Sequence, residues 1–455
     1  MSKTYRPWNP NQQWLLPPSV QDWLPENDLV YFVLDTVNEL DISAITAKYE
    51  KEGRGYPPYN PRMMVTLLIY AYCRGIFSSR RIMAACQERL TFRVITGDDI
   101  PDFRTISDFR KLHLKELQLL FVQVLRLCQE AGLVKLGHIA LDGTKVKADA
   151  SRHKAMSYGR MLTEQKRLTK EIKQLLEKAE AIDRQEDDKY GPDRRGDELP
   201  EELARRESRL KRIQQAKKAL EAEAKAAAQQ AWKQREVDSK DDDKPKRGRK
   251  SKPISDIPAD KKQYNFTDPE SKIMKVNNKG WDQCGNAQAA VDSHKQIIVA
   301  CDVTGETNDK QQFEPMLEKT QQNIGGDKRI KAVSSDTGYY SESNVEYAKE
   351  KGIDAYIATE KVKHNAPSVK APRGRMPKNL TVKQKMARKL RTKKGRETYS
   401  KRKSIVEPVF GQIKRARGFV QFSLRGLEKM RGEWAIVCLT HNLLKLFRVQ
   451  YATAV

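Results

Sequence analysis

Histidine and cysteine are scarce in this chain, with six of each in 455 residues. The cysteines (Cys73, Cys86, Cys128, Cys284, Cys301, Cys438) are scattered, form no Cys-x-x-Cys pair and have no histidine cluster beside them. That excludes an ordinary zinc site and leaves buried free thiols in a reducing cytoplasm. No apolar run approaches a membrane span, and the opening Met1-Ser2-Lys3-Thr4-Tyr5-Arg6-Pro7-Trp8 lacks the apolar core of a signal peptide. The expectation is a soluble, intracellular protein, without a membrane partner. Apolar residues make up 38% and charged residues 32%. That balance suits two or three globular domains joined by long solvated segments.

What the chain has is positive charge. Its formal net charge is +26 and its pI about 9.6. Lysine and arginine gain affinity for polyanions by releasing counterions from phosphates. A ribosomal or membrane-surface protein would fit the same charge.

Residues 1–26, rich in Pro, Trp and Asn, read as an extended arm. Helical spacing then runs from about 28 to 130. Leu29, Phe32, Val33 and Val37 recur at helical intervals. Asn60 caps a helix that Pro61 begins, and Met64, Leu67, Leu68, Ala71 and Tyr72 form its apolar stripe. Gly75 breaks the pattern. Ser78-Ser79-Arg80-Arg81 opens a further helix, Asp102 to Arg110 a short polar turn, and 111–131 one long amphipathic helix. Arginines at helix starts fit a helix-turn-helix-like DNA reader and equally an all-helical domain with exposed arginines.

Residues 161–262 are of another kind. Met161, Leu168, Ile172, Leu175, Ala179 and Ile182 make one heptad seam. Leu203, Leu210, Ile213, Leu220, Ala224, Ala227 and Ala231 make another, and Gly191-Pro192-Asp193 separates them. The pattern predicts an antiparallel helical hairpin, either a self-association arm or a solvated spacer. A low-complexity linker over 236–262 follows, containing Arg247-Gly248-Arg249; Arg373-Gly374-Arg375 repeats the motif later. Such tripeptides bind phosphates non-specifically or lie in an A·T-rich minor groove.

Three acids stand out by setting. Ile139-Ala140-Leu141-Asp142-Gly143-Thr144 reads as a buried strand that ends in an acid and then turns. Val333-Ser334-Ser335-Asp336-Thr337-Gly338 repeats the theme. Between them lie two hairpin strands, 287–292 and 296–303, and a helix over about 310–323. A helix from Ser341 to Lys351 and a strand from Ile353 to Ala358 follow Asp336. Glu407 sits among Lys401, Arg402, Lys403, Lys414, Arg415 and Arg417. Residues 372–417 carry 17 Lys/Arg against two acids. Each acid alone reads as a surface residue or as a metal ligand. Together, carboxylates from separate elements of a mixed sheet suit two Mg²⁺ ions, with Mn²⁺ as substitute, and open positions for phosphate. Asp149, Asp292, Asp302 and Asp309 compete for the role; Asp292 reads as structural and Asp302 as the best substitute.

On the segments Ala140–Thr144, Asp336–Tyr339 and Tyr399–Lys414, the chain resembles the bacterial insertion-sequence transposases with an Asp-Asp-Glu (DDE) core, in the IS-four and IS-five assemblage and its IS-eleven-eighty-two group. The resemblance implies an α/β fold: a ribonuclease-H-like catalytic core over 131–160 and 263–455, an N-terminal all-helical DNA-binding domain over 1–130, and the inserted hairpin and linker over 161–262. It implies Asp142, Asp336 and Glu407 as catalytic metal ligands. The expected DNA contacts are Tyr399, Arg402, Lys403, Lys414, Arg80, Arg81, Arg247, Arg249, Arg373 and Arg375. The implied activity is cleavage of double-stranded DNA at inverted repeats and joining of 3′ ends to target DNA. A homodimer would work on the nucleoid in a bacterial cytoplasm. A catalytically inactive DNA-binding descendant and a nuclease on the same fold are the alternatives.

The family places Glu four residues after Arg, whereas Arg402 to Glu407 is five. Lys403, four before Glu407, shares its helical face, while Arg402 points about 140° away at roughly 100° per residue. Lys403 is therefore expected beside Glu407, with Arg402 the alternative. Pro408 threatens to end or restart the helix at Glu407.

Overall fold

Asn60 and Pro61 start a helix as their chemistry dictates. In the computed structural model of the chain, the Asn60 side chain accepts from the N–H groups of Arg62 and Met63, and Pro61 sits in the first turn, where no N–H is needed. The structure describes residues 24–50, 57–190, 201–240, 254–276, 280–326, 328–360, 370–377 and 379–452. Most of the expected arm, the turn at Gly191-Pro192-Asp193, and Arg247 and Arg249 lie outside them. By its contacts the chain divides into two units, Met1–Val146 with Asn286–Val455, and Lys147–Gly285.

The first unit opens with α1 (Leu29–Glu39), α2 (Ser43–Tyr49), α3 (Pro61–Cys73), α4 (Ser79–Glu88), α5 (Leu90–Thr96), α6 (Phe103–Leu112) and α7 (Leu114–Glu130). α3 is buried on all sides from Met64 to Cys73, not along one stripe. The single helix expected over 111–131 is two. The chain breaks at His113, whose φ of −107° and ψ of 21° are not helical; its ring meets the Tyr49 hydroxyl at 2.9 Å. β1 (Ile139–Lys147) follows.

The second unit holds β2 (Ala155–Ser157), α8 (Tyr158–Tyr190), α9 (Glu201–Lys240), β3 (Gln263–Asn265), β4 (Lys272–Val276) and the start of β5 (Gly280–Asp292). α8 and α9 form the expected hairpin around Tyr158, Met161, Leu168, Ile213, Ala216 and Leu220. The seam drifts from the heptad reading: Ile172 and Leu175 are half-buried, and Ala228 is buried where Ala227 is exposed.

Back in the first unit come β6 (Ile298–Thr304), α10 (Phe313–Ile324), β7 (Ala332–Ser335), α11 (Glu342–Glu350), β8 (Asp354–Ile357), α12 (Val382–Arg391), α13 (Lys393–Gly411) and α14 (Leu427–Ala452). The sheet there runs β6-β5-β1-β7-β8. β6 is antiparallel to β5, while β1, β7 and β8 are mutually parallel neighbours. The apolar C-terminal helix expected from Trp434 to Phe447 is the core of α14 and packs on β6 and α7. Asn442 brackets Ile298, accepting from its N–H and donating to its carbonyl, each at 2.8 Å.

A buried polar chain fastens the early helices to α14. Glu433 accepts from the Tyr72 hydroxyl at 3.2 Å and from the Ser423 N–H at 2.8 Å, and Arg110 donates to the Tyr72 hydroxyl at 3.0 Å. α1–α7 therefore share a unit with the sheet. The contacts divide the chain at 146/147 and 285/286.

Burial pushes His441 down to about 3 and His138 down to about 4. Both stay neutral in the fold while the unfolded chain takes up protons below about 6.5, so stability is full above that pH and falls as pH drops toward 4. Each histidine should cost about 2 kcal/mol at pH 5. His441→Gln should flatten the pH dependence of urea denaturation between pH 6 and 5 by about 1.2 kcal/mol. An unchanged slope would contradict its neutral burial.

Candidate active site

The register of two parallel strands sets two acids side by side. β1 and β7 pair through Leu141 and Ser335, so Asp142 and Asp336 are the next residues on adjacent strands. Asp336 directly follows its strand and caps the next short turn, accepting from the Gly338 N–H at 2.8 Å. Asp142 does not end β1. The strand continues to Lys147, and the turn expected at Gly143 is absent. Gly143 serves close approach instead. A Cβ there would stand 2.4 Å from Gln288 Nε2 and 2.9 Å from Asp309 Oδ1.

α13 brings the third acid. It runs unbroken from Lys393 to Gly411 with Pro408 inside, so Pro408 neither ends nor restarts the helix. Proline removes the N–H that would bond to the carbonyl four residues earlier. That carbonyl, on Ser404, accepts instead from Gln296 Nε2 at 2.8 Å. Gln296 sits in the β5–β6 turn with a φ of 59°, and its own carbonyl and amide oxygen engage His441 at 3.0 Å and Lys445 at 2.7 Å. Beyond Gly411 the chain makes a π-helical turn, Gln412–Ala416. From it Lys414 Nζ donates to the Lys145 carbonyl at 2.6 Å.

Arg402, not Lys403, stands beside the acids. Its Nη1 lies 2.9 Å from Asp142 Oδ2 and its Nη2 3.9 Å from Glu407 Oε1. Lys403 is exposed. A helical wheel compares the directions of Cβ atoms. A guanidinium reaches further, and here the partner that draws it comes from the sheet. Tyr399 supports Arg402 with its ring, the guanidinium carbon lying 5.9 Å from the ring centre. Burial works against the charge of Arg402, but Asp142, Tyr399, Asp336 and Glu407 outweigh it and hold its pKa above the usual value. Asp142 is pushed up to about 6, first by burial and then by Asp336 and Asp309, against the pull of Arg402 and the Gly143 N–H.

This is the chemistry of a carboxylate short of positive charge. Hard carboxylate oxygens with that deficit fit Mg²⁺ or Mn²⁺. Among the described residues, no group of three or more acid, histidine or cysteine side chains is placed to hold a metal ion as it stands. Asp142 faces Arg402, and the Glu407 side chain is 56% exposed.

The remaining expected residues fall in several places. Arg80 and Arg81 are exposed at the start of α4, Arg80 lying 4.7 Å over the Phe103 ring. Arg373 and Arg375 are exposed, and the Arg373 carbonyl accepts from Arg388 at 2.9 Å. Among the rival acids, Asp292 is structural, accepting from Leu136 N–H at 2.7 Å and His294 N–H at 2.8 Å. Asp149 belongs to the second unit. Asp302, the best substitute by its expected strand-end position, is tied to Lys319 and Arg431 at 3.0 Å each. Asp309 is the rival that reaches the site. Its flanking sequence carried no strand-end pattern, because its partners come from β5 through the fold.

Two family models match the chain. One, described as Transposase domain (DUF772), covers residues 18–112; the other, described as Transposase DDE domain, covers 234–443. No curated protein and no solved structure matches it. Asp309, Asp336, Arg402, Glu407 and Lys414 lie inside the second match. Asp142 lies outside both, so its place rests on geometry. That geometry constrains its neighbour. Gly143→Ala should destabilise the protein by about 1–3 kcal/mol in urea denaturation, as overpacking does. An unchanged midpoint would contradict the packing of β1 against Gln288.

Proposed function

Because the chain belongs to the DDE transposases of insertion sequences, we propose that it binds the inverted repeats of its own mobile DNA, cleaves there, and joins the 3′ ends to target DNA. The observation that carries this reading is the Asp142–Arg402 ion pair at 2.9 Å. It ties the first acid of the motif to the helix that bears the third. The sheet order β6-β5-β1-β7-β8 with three parallel neighbours supports a ribonuclease-H-like core.

Asp142, Asp336 and Glu407 would hold the divalent cations. When bound, the cations lower the pKa of the attacking water or 3′ hydroxyl and stabilise charge on the departing oxygen. The protein's own groups do the rest. Arg402 and Lys414 stand on either side of Glu407 as phosphate-holding cations, and Tyr399 keeps the guanidinium in place. Lys403 lies outward to meet the DNA backbone. Arg80, Arg81, Arg373 and Arg375 add phosphate contacts, and so do Arg247 and Arg249 beyond the described residues. Residues 1–130 serve chiefly in DNA-end binding, 131–160 and 263–455 in catalysis, and 161–262 in contact with a second copy. Work on two DNA ends calls for a homodimer, acting on nucleoid DNA in a bacterial cytoplasm. Among the described residues no helix is long and apolar enough to cross a membrane.

The test is incubation with DNA bearing the inverted repeats that flank the gene, with Mg²⁺ or Mn²⁺. Expected are metal-dependent cleavage and strand-transfer products. Asp142→Asn, Asp336→Asn or Glu407→Gln should reduce cleavage by at least about a hundredfold, the scale for losing a preorganised charge in a transition state. Unchanged cleavage in Asp142→Asn would sink the assignment. Nicking without strand transfer would point to a nuclease, and DNA binding without cleavage under either metal to an inactive descendant.

A further inference from the structure

We propose that Asp309 is a fourth carboxylate of this site and donates an oxygen to a divalent cation held with Asp142 and Asp336. The proposal rests on the reading that the site binds such a cation.

Asp309 lies in the connection between β6 and α10, just before the short turn Lys310–Gln312. Its two oxygens have different surroundings. Oδ1 accepts from Asn286 Nδ2 at 2.6 Å and from Gln288 Nε2 at 2.8 Å. Lys145 Nζ is further off, at 3.6 Å. Both amides project from β5 and are fully buried, so the carboxylate is aimed by rigid strand residues, as ligand-orienting partners are in metal sites. Oδ2 turns toward the loop that carries Asp336. A Cβ on Gly338 would lie 3.2 Å from Asp309 Oδ2 and 3.0 Å from Asp336 Oδ1. On the other side, a Cβ on Gly143 would lie 2.9 Å from Asp309 Oδ1. The carboxylate thus spans the gap between the segments bearing Asp142 and Asp336. Glycine at both 143 and 338 is what lets it in.

A second observation points the same way. Asn286 Oδ1 is buried and has no hydrogen-bond partner. It stands 3.0 Å from that same Cβ position on Gly143. Its amide cannot be reversed to cure this, because the nitrogen is already given to the Glu306 carbonyl at 3.1 Å and to Asp309 Oδ1 at 2.6 Å. Leaving such an oxygen unpaired costs about 1–3 kcal/mol. A hydrated hard cation beside Asp309 supplies what it lacks, since the cation's bound waters are strong donors. Asp302 makes the contrast: it is on the neighbouring strand and already neutralised by two cations.

The experiment is Mn²⁺ binding by calorimetry and electron paramagnetic resonance on the DNA-free protein. Wild type would be compared with Asp309→Asn, Asp142→Asn and Asp302→Asn, with circular dichroism to confirm folding. Asparagine keeps an oxygen for the β5 amides and removes the charge. Asp309→Asn should weaken Mn²⁺ binding at least about tenfold, the scale for disturbing a metal's close surroundings. Asp142→Asn should weaken it as much, and Asp302→Asn less than about twofold on the same scale. Wild-type binding in Asp309→Asn with loss in Asp142→Asn would overturn the role of Asp309 and leave the three-acid reading standing. Wild-type binding in both would overturn that reading too. Should Asp309→Asn fail to fold, Asp309→Cys replaces it. A thiolate ligand should shift preference from Mn²⁺ toward Cd²⁺ by about tenfold or more, and an unshifted preference overturns the proposal.

Discussion

The contact on which the site depends is the ion pair between Arg402 and Asp142. It joins residues 260 positions apart and fixes α13 against β1. Both side chains are largely buried, at 11% and 19% exposure. Such a pair is expensive to desolvate and more expensive to break, because either partner alone would be a buried, uncompensated charge. Its value here is in specifying geometry. With Lys414 bound to the Lys145 carbonyl, α13 and the π-turn after it are tied to β1 on both sides of Glu407. A π-turn shifts the side-chain register of a helix and is frequent at functional sites. Here it carries Lys414 onto the strand.

The sheet supplies the other constraint. Parallel pairing of β1 with β7 leaves Asp142 and Asp336 adjacent without any side-chain contact being required. α14 holds the far side of that frame, with Trp434 donating to the Gln288 carbonyl at 2.9 Å and Asn442 satisfying both backbone groups of Ile298. Gln288 is thereby fixed at its backbone, while its side chain aims Asp309 and accepts from the Tyr339 hydroxyl. Asp336 and Asp309 both repel the charge on Asp142 in a chain of net charge +26. Burial and mutual repulsion raise Asp142 to about 6 even with an arginine against it.

Local chemistry was legible in the sequence. Asn60 and Pro61 cap and open α3, the hairpin seam predicts α8 and α9, and the acids after Leu141 and Ser335 stand where buried strands made them conspicuous. What could not be read depends on partners distant in sequence. Gly143 resembles a turn glycine until Gln288 and Asp309 are seen pressing on it. Pro408 looks like a helix breaker until Gln296, 108 residues away from Ser404, supplies the missing donor. Lys403 wins on a helical wheel, which knows nothing of Asp142 pulling Arg402 across. Asp309 has no local mark because its orientation is set by two amides on β5.

The proposed function requires Asp142, Asp336 and Glu407 to make one cation site, in which Arg402 holds Asp142 until a cation takes its place. Anomalous diffraction from crystals soaked in Mn²⁺ tests it most directly. The expected result is a manganese peak within bonding distance of Asp142, Asp336 and Glu407, with Arg402 Nη1 withdrawn from Asp142 Oδ2. A manganese peak elsewhere, or saturating Mn²⁺ that leaves the 2.9 Å pair intact and these carboxylates unligated, would contradict it.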